Sequence, residues 1–147
     1  MRILICPGNI QNAKSYPHWD KLRELLKDYE VREIKGILPE QEIVALVNWA
    51  DVVVTIDSFL PHLIKYYGIQ KTVVVLWGKS DPDIFGYKEN INLLKDREYL
   101  KPQQFQWWLE EPNDPNVFVS PEKVMKTIRV EAIRRAHGLG EEGTGSR

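Results

Sequence analysis

The chain has one cysteine and two methionines in 147 residues, and its charges nearly cancel. Each scarcity excludes something. A lone Cys6 offers no disulfide framework, and a buried thiol is its plain reading. With 20 basic residues against 21 acidic ones the net charge is −1, which argues against nonspecific nucleic-acid binding, since that needs a basic surface. No apolar run approaches the roughly 20 residues of a membrane span. The Ile3-Leu4-Ile5 run behind Arg2 is too short for a signal peptide and passes directly into Pro7-Gly8, so a cytoplasmic setting is expected. Several catalytic signatures are also missing: the G-x-S-x-G elbow, H-E-x-x-H, a Walker loop and G-x-G-x-x-G. No internal repeat or linker divides the chain, whose length suits one domain around one core.

What is present centres on Asp51–Gly86. Val52 to Ile56 is wholly apolar apart from Thr55, as expected of a strand buried on both faces of a parallel sheet. Asp57 and Ser58 follow it, then a helix from about Leu60 to Tyr67 closed by Gly68. Thr72 to Trp77 forms a second apolar strand. In an open α/β sheet ligands bind outside the carboxyl ends of the strands. That places Asp57, Ser58 and His62 at a binding edge, where helix-opening N–H groups can hold a phosphate.

Other elements frame this unit. Arg2 to Cys6 reads as a strand ending in Pro7-Gly8, followed by a polar loop from Asn9 to Pro17 and a helix from His18 to about Tyr29 with Trp19, Leu22, Leu25 and Leu26 on its apolar face. Val31 to Lys35 alternates as a strand, and Pro39 to Trp49 is a helix with proline in its first turn. Lys79 to Asp83 reads as a loop whose Ser80 and Asp81 precede proline, a turn arrangement with free donors. Ile91 to Leu94 is a short edge strand. Phe105, Trp107 and Trp108 lie in an aromatic segment that either stacks on a sugar or packs in the core. Ser120-Pro121 opens a last helix running to about His137, with Arg129, Arg134 and Arg135 as a solvated basic face. The domain spans residues 1–137, and the glycine- and glutamate-rich stretch 138–147 is expected to be disordered.

Over roughly Arg2 to Ala136 the chain resembles the heptosyltransferase-type glycosyltransferases of family 9, specifically the donor-binding half of their two-domain GT-B fold. Asp57-Ser58-Phe59-Leu60-Pro61-His62 resembles the family's D-[ST]-G-x-x-H helix start, with Phe59 in the place of glycine. Thr72 to Gly78 and Asp81-Pro82 resemble its strand ending in F/W-G-x-[ST]-D-P. Pro7-Gly8 and Lys14-Ser15-Tyr16-Pro17 resemble its P-G and K-x-W-P, with Tyr16 in the place of tryptophan, and Ser120-Pro121-Glu122 resembles its closing helix. A strand–helix unit that commonly carries an acidic nucleoside contact in the family has no counterpart here. Glu33 and Glu40 are nominal stand-ins, otherwise solvated.

The resemblance implies a Rossmann-like α/β three-layer domain with a mainly parallel sheet of five or six strands. It implies a nucleotide-activated sugar as ligand, ADP-heptose being the typical donor, held by Lys14, Asp57, Ser58 and His62. Gly8, Ser80 and Asp81 are further phosphate or loop contacts. Neither a cofactor nor a metal is expected. The family's catalytic base and acceptor groove belong to the other half of the fold, so transfer requires a partner chain or a second copy, and no catalytic residue is assigned. Taken alone, Lys14 also reads as an exposed loop lysine and His62 as a structural histidine. Two other classes stay open: a noncatalytic binding or assembly module, and a small deoxyribosyltransferase-like nucleoside enzyme with Asp57 or Glu33 as nucleophile.

Overall fold

Strands rich in valine, isoleucine and leucine pair side by side because each is apolar on both faces and must be covered twice. The computed structural model describes residues 1–8, 14–105 and 113–138; Trp107 and Trp108 and the stretch 139–147 lie outside them. In chain order the elements are β1 (Arg2–Cys6), α1 (Trp19–Leu25), β2 (Glu30–Glu33), α2 (Glu40–Trp49), β3 (Val52–Ile56), α3 (Phe59–Tyr66), β4 (Thr72–Trp77), α4 (Pro82–Phe85), β5 (Ile91–Leu94) and α5 (Pro121–Ala136). Two 3-10 turns, Arg97–Tyr99 and Pro115–Val117, lie between β5 and α5.

The five strands form one sheet in the order β2-β1-β3-β4-β5, and each neighbouring pair is parallel. This is a doubly wound, Rossmann-like three-layer domain with five strands. Alternate residues of each strand point to opposite faces. Ile3, Ile5, Val52, Val54, Ile56, Val74 and Leu76 pack beneath α1 and α5 together with Phe118. Leu4, Cys6, Val53, Val75 and Trp77 pack beneath α2 and α3. The Cys6 thiol is buried, and burial pushes its pKa up, which leaves it an inert filler.

Local chemistry sets the ends of the elements. Ser120 caps α5, its Oγ accepting from the Lys123 amide at 3.1 Å, and Pro121 occupies the first helical position. Gly68 closes α3 at φ +64°, a left-handed position that glycine takes without strain. Gly78 faces the buried Phe118 ring, and a Cβ there would lie 2.6 Å from Phe118 Cζ.

Four expectations change. The helix expected to reach Tyr29 ends at Leu25, since residues 26–28 form a turn, with the Tyr29 amide on the Leu26 carbonyl, that carries the chain back to β2. The second strand runs Glu30–Glu33 rather than to Lys35. The expected loop at Lys79–Asp83 includes the start of a one-turn helix, because Asp81 accepts from the Asp83 amide at 2.9 Å and caps α4. Two arginines of the expected solvated face are paired: Arg134 to Glu131 at 3.2 Å and Arg135 to Asp51 at 3.1 Å.

Candidate functional site

Strand order reverses at β1: β2 lies to one side of it and β3 to the other. At such a switch point the loops leaving the two strands depart toward opposite faces and open a crevice at the carboxyl edge. Pro7-Gly8 leaves β1 there and Asp57-Ser58 leaves β3. Thr55 ties the two ends together, its Oγ1 donating to the Cys6 carbonyl at 3.3 Å. Gly8 has φ +86°, and a Cβ there would lie 3.2 Å from Ile56 Cδ1. Glycine therefore lets the β1 loop turn tightly against the end of β3.

Lys14 returns to this point from the far end of the same loop. Its Nζ lies 3.2 Å from Asp57 Oδ2. The aspartate side chain is only 12% exposed and the lysine 51%, so the pair presents a half-exposed cation to a largely buried anion. Two anchors station Lys14. Asn113 Nδ2 donates to the Ser15 carbonyl at 2.9 Å, and Tyr16 enters the core, where its hydroxyl donates to the Val119 carbonyl at 3.0 Å. The Tyr16 ring packs edge-on against Trp19 and Phe118, and burial raises its phenol well above the usual value. The aromatic position before Pro17 is thus a structural anchor for the lysine two residues earlier.

α3 begins beside the pair. Ser58 is its N-cap residue by position, in extended conformation, yet no side chain caps the helix. The Ser58 hydroxyl instead donates back to the Ile56 carbonyl at 3.3 Å. The amides of Ser58, Phe59 and Leu60 have no partner within the helix, and Pro61 carries no N–H. Uncapped donors and the positive end of the helix dipole therefore face the switch-point crevice.

His62 sits on the first turn of α3. Its Nδ1 is 2.6 Å from the Tyr87 hydroxyl, and the two rings meet edge-on at 5.4 Å. His62 and Asp57 line one narrow cleft with Pro61, Trp77, Phe85 and Tyr87, closed too tightly to admit a water molecule. Ser80 and Asp81 are buried at the end of β4. The Asp81 carboxylate is engaged by Arg97, at 2.7 Å from Nη2 to Oδ2 and 3.2 Å from Nη1 to Oδ1. That guanidinium holds the Asp81 carboxyl below the usual carboxylate range. Asp81 thus spends its lone pairs on Arg97 and the α4 cap. Glu33, expected to be solvated, is forked by Arg23 at 2.6 and 3.1 Å. Arg23 in turn keeps its proton more tightly, chiefly through that bond.

Of the residues expected in the site, the fold brings Gly8, Lys14, Asp57 and Ser58 to the switch point and sets His62 in the adjoining crevice. Ser80 and Asp81 lie one strand further along. Sequence reasoning missed Tyr87 and Arg97. Their partners are 25 and 16 residues away, and nothing in their local sequence marks the pairing. Among the described residues no group of three or more His, Cys, Asp or Glu side chains is placed to hold a metal ion, and no helix is long and apolar enough to cross a membrane. Compared with protein-family models, with curated proteins and with solved structures, the chain matches none.

Proposed function

We propose that the chain binds a nucleotide-activated sugar at the β1/β3 switch point, as a donor-binding domain of the glycosyltransferase type it resembles. One observation carries the reading. Lys14 and Asp57, 43 residues apart in sequence, meet at 3.2 Å beside the uncapped start of α3. A cation and free amide donors in one place suit a diphosphate. A neighbouring fixed carboxylate suits sugar hydroxyls, which donate to it.

In this reading an arriving diphosphate draws Lys14 from Asp57, leaving the carboxylate oxygens to accept from the sugar. Lys14 and the α3 amides then offset the charge that grows on the diphosphate as it leaves. Transfer breaks the bond between the anomeric carbon and the diphosphate and joins that carbon to an acceptor oxygen. The acceptor proton goes to a general base outside this domain. ADP-heptose is the donor suggested by the resemblance, and the nucleobase is the part it supports least.

Calorimetric titration with ADP, UDP, GDP and their sugar conjugates tests the proposal. The expected result is saturable binding of one nucleotide series, weakened about 10- to 100-fold in Lys14→Ala, as loss of a charge-assisted bond entails. Asp57→Ala is expected to reduce affinity for the sugar conjugate more than for the bare diphosphate. Flat traces from the folded protein, or affinity that survives both substitutions, overturn the reading.

A further inference from the structure

We infer that Tyr87 is a positioning residue that holds His62 as its Nε2–H tautomer, so the ring offers a hydrogen-bond donor to the bound diphosphate. The inference rests on the proposed function for its ligand and on geometry for its tautomer.

The geometry is specific. Tyr87 is fixed from three sides. Its carbonyl accepts from Asn92 Nδ2 at 2.9 Å, and Asn92 Oδ1 accepts from the indole N–H of buried Trp77 at 2.9 Å. Its ring lies under the Lys65 ammonium, 5.6 Å from the centroid, and Lys65 is in turn paired with Glu89. Gly86, just before it, leaves no room for a side chain, since a Cβ would come within 2.6 Å of the Pro82 carbonyl oxygen. The phenol is therefore delivered to one spot, 2.6 Å from Nδ1 of His62.

Chemistry then selects the proton positions. In the neutral pair, one ring nitrogen of histidine carries hydrogen and the other accepts. A phenol donates more strongly than a neutral imidazole N–H, and the imine nitrogen accepts more strongly than a phenol oxygen. The favoured arrangement has Tyr87 donating to Nδ1, which leaves the hydrogen on Nε2. The same logic by which a hydrogen bond at one ring nitrogen sets the role of the other applies widely to histidine. The charged groups around the ring are Asp57 in the same crevice, Lys14 through Asp57, and the Lys65–Glu89 pair beyond Tyr87. None of these offers Nδ1 a competing bond among the described contacts. With Nδ1 held by Tyr87, an Nε2–H donor in the cleft shared with Asp57 would add to Lys14 and the α3 amides, whereas the opposite tautomer would present a lone pair there.

Tyr87→Phe removes only the hydroxyl and keeps the ring between His62 and Lys65. Imidazole nitrogen spectra of the histidine-labelled protein at neutral pH read the tautomer, with the signal of His62 identified through His62→Gln among three histidines. Wild type is expected to show Nε2 protonated and Nδ1 accepting, and Tyr87→Phe to show averaging between tautomers. ADP affinity by calorimetry is expected to fall about 3- to 10-fold in Tyr87→Phe, the effect of weakening one neutral hydrogen bond. A wild-type protein protonated at Nδ1, or a Tyr87→Phe spectrum like wild type, overturns the tautomer assignment. An altered tautomer with unchanged ADP affinity overturns the positioning role. Wild type that binds no nucleotide overturns the proposed function and the ligand half of this inference, and the spectra distinguish that outcome from a failure of the Tyr87–His62 bond.

Discussion

Gly78 and Phe118 show how tightly single positions are determined in this molecule. The phenyl ring is among the most fully buried side chains and lies against the glycine Cα, so a methyl group there has nowhere to go. Gly78→Ala is expected to cost about 1–3 kcal/mol in urea unfolding, the usual range for overpacking, although alanine is the smallest change possible. The Asp81–Arg97 pair carries a pH dependence whose sign follows from its direction. The folded-state pKa of Asp81 lies below its ordinary value because Arg97 bonds the charged form. Its stabilisation is therefore complete above the unfolded value of about 3.9 and is lost as pH falls through the lower folded value. Arg97→Met is expected to lower stability at neutral pH, by leaving the Asp81 carboxylate without its donor. In chemical unfolding the difference between wild type and variant is expected to hold from pH 7 to about pH 4 and to narrow as the pH falls further. Neither residue's role was legible in the sequence. Asp81-Pro82 announced a turn, but only the fold brings an arginine from the turn after β5 onto that carboxylate.

At the scale of elements, two serines in similar sequence positions do different work. Ser120 bonds the Lys123 amide and caps α5. Ser58 bonds the carbonyl behind it and leaves α3 open. Ser120→Ala is expected to lose about 1 kcal/mol, and Ser58→Ala distinctly less, when both are measured by thermal or urea unfolding. Equal losses would mean that α3 is capped after all. Elements governed by short-range rules were readable: β3 and β4 from β-branched, mostly apolar runs between polar flanks, α5 from Ser120-Pro121, and the end of α3 from Gly68. Elements bounded by tertiary demands were not. α1 has good helix formers beyond Leu25, yet the chain must return to the edge of the sheet by Glu30, and that requirement stops it early. The site divided the same way. Asp57 and Ser58 were legible from their place after a buried strand. The meeting of Lys14 with Asp57 and of His62 with Tyr87 depends on loops closing over the sheet edge, which no local pattern encodes.

For the molecule as a whole, the proposed ligand would join groups from several elements: the loop after β1, the end of β3 and the start of α3. Binding that spans separate elements stabilises the folded state as a unit. At a nucleotide concentration a hundredfold above its Kd the stabilisation is expected to be about 2.7 kcal/mol. In a chain of this size that raises the melting temperature by several degrees, and in Lys14→Ala at the same nucleotide concentration the rise should shrink to about half its size or less. Scanning calorimetry with and without nucleotide checks both expectations.

The strand order β2-β1-β3-β4-β5 also has a bearing on biosynthesis. Parallel neighbours cannot pair until the helix between them has been made. Once β1 exists, however, every later strand finds its partner already waiting: β2 adds to one side of β1, then β3, β4 and β5 add in turn to the growing opposite edge. No strand is left waiting for a partner still inside the ribosome, apart from β1 itself. The sheet can thus be laid down in the order of translation, with one exposed growing edge at a time. A chain whose parallel sheet forces nonlocal contacts, and with them slow closure, is in this way spared a long interval with several unpaired strands open to aggregation.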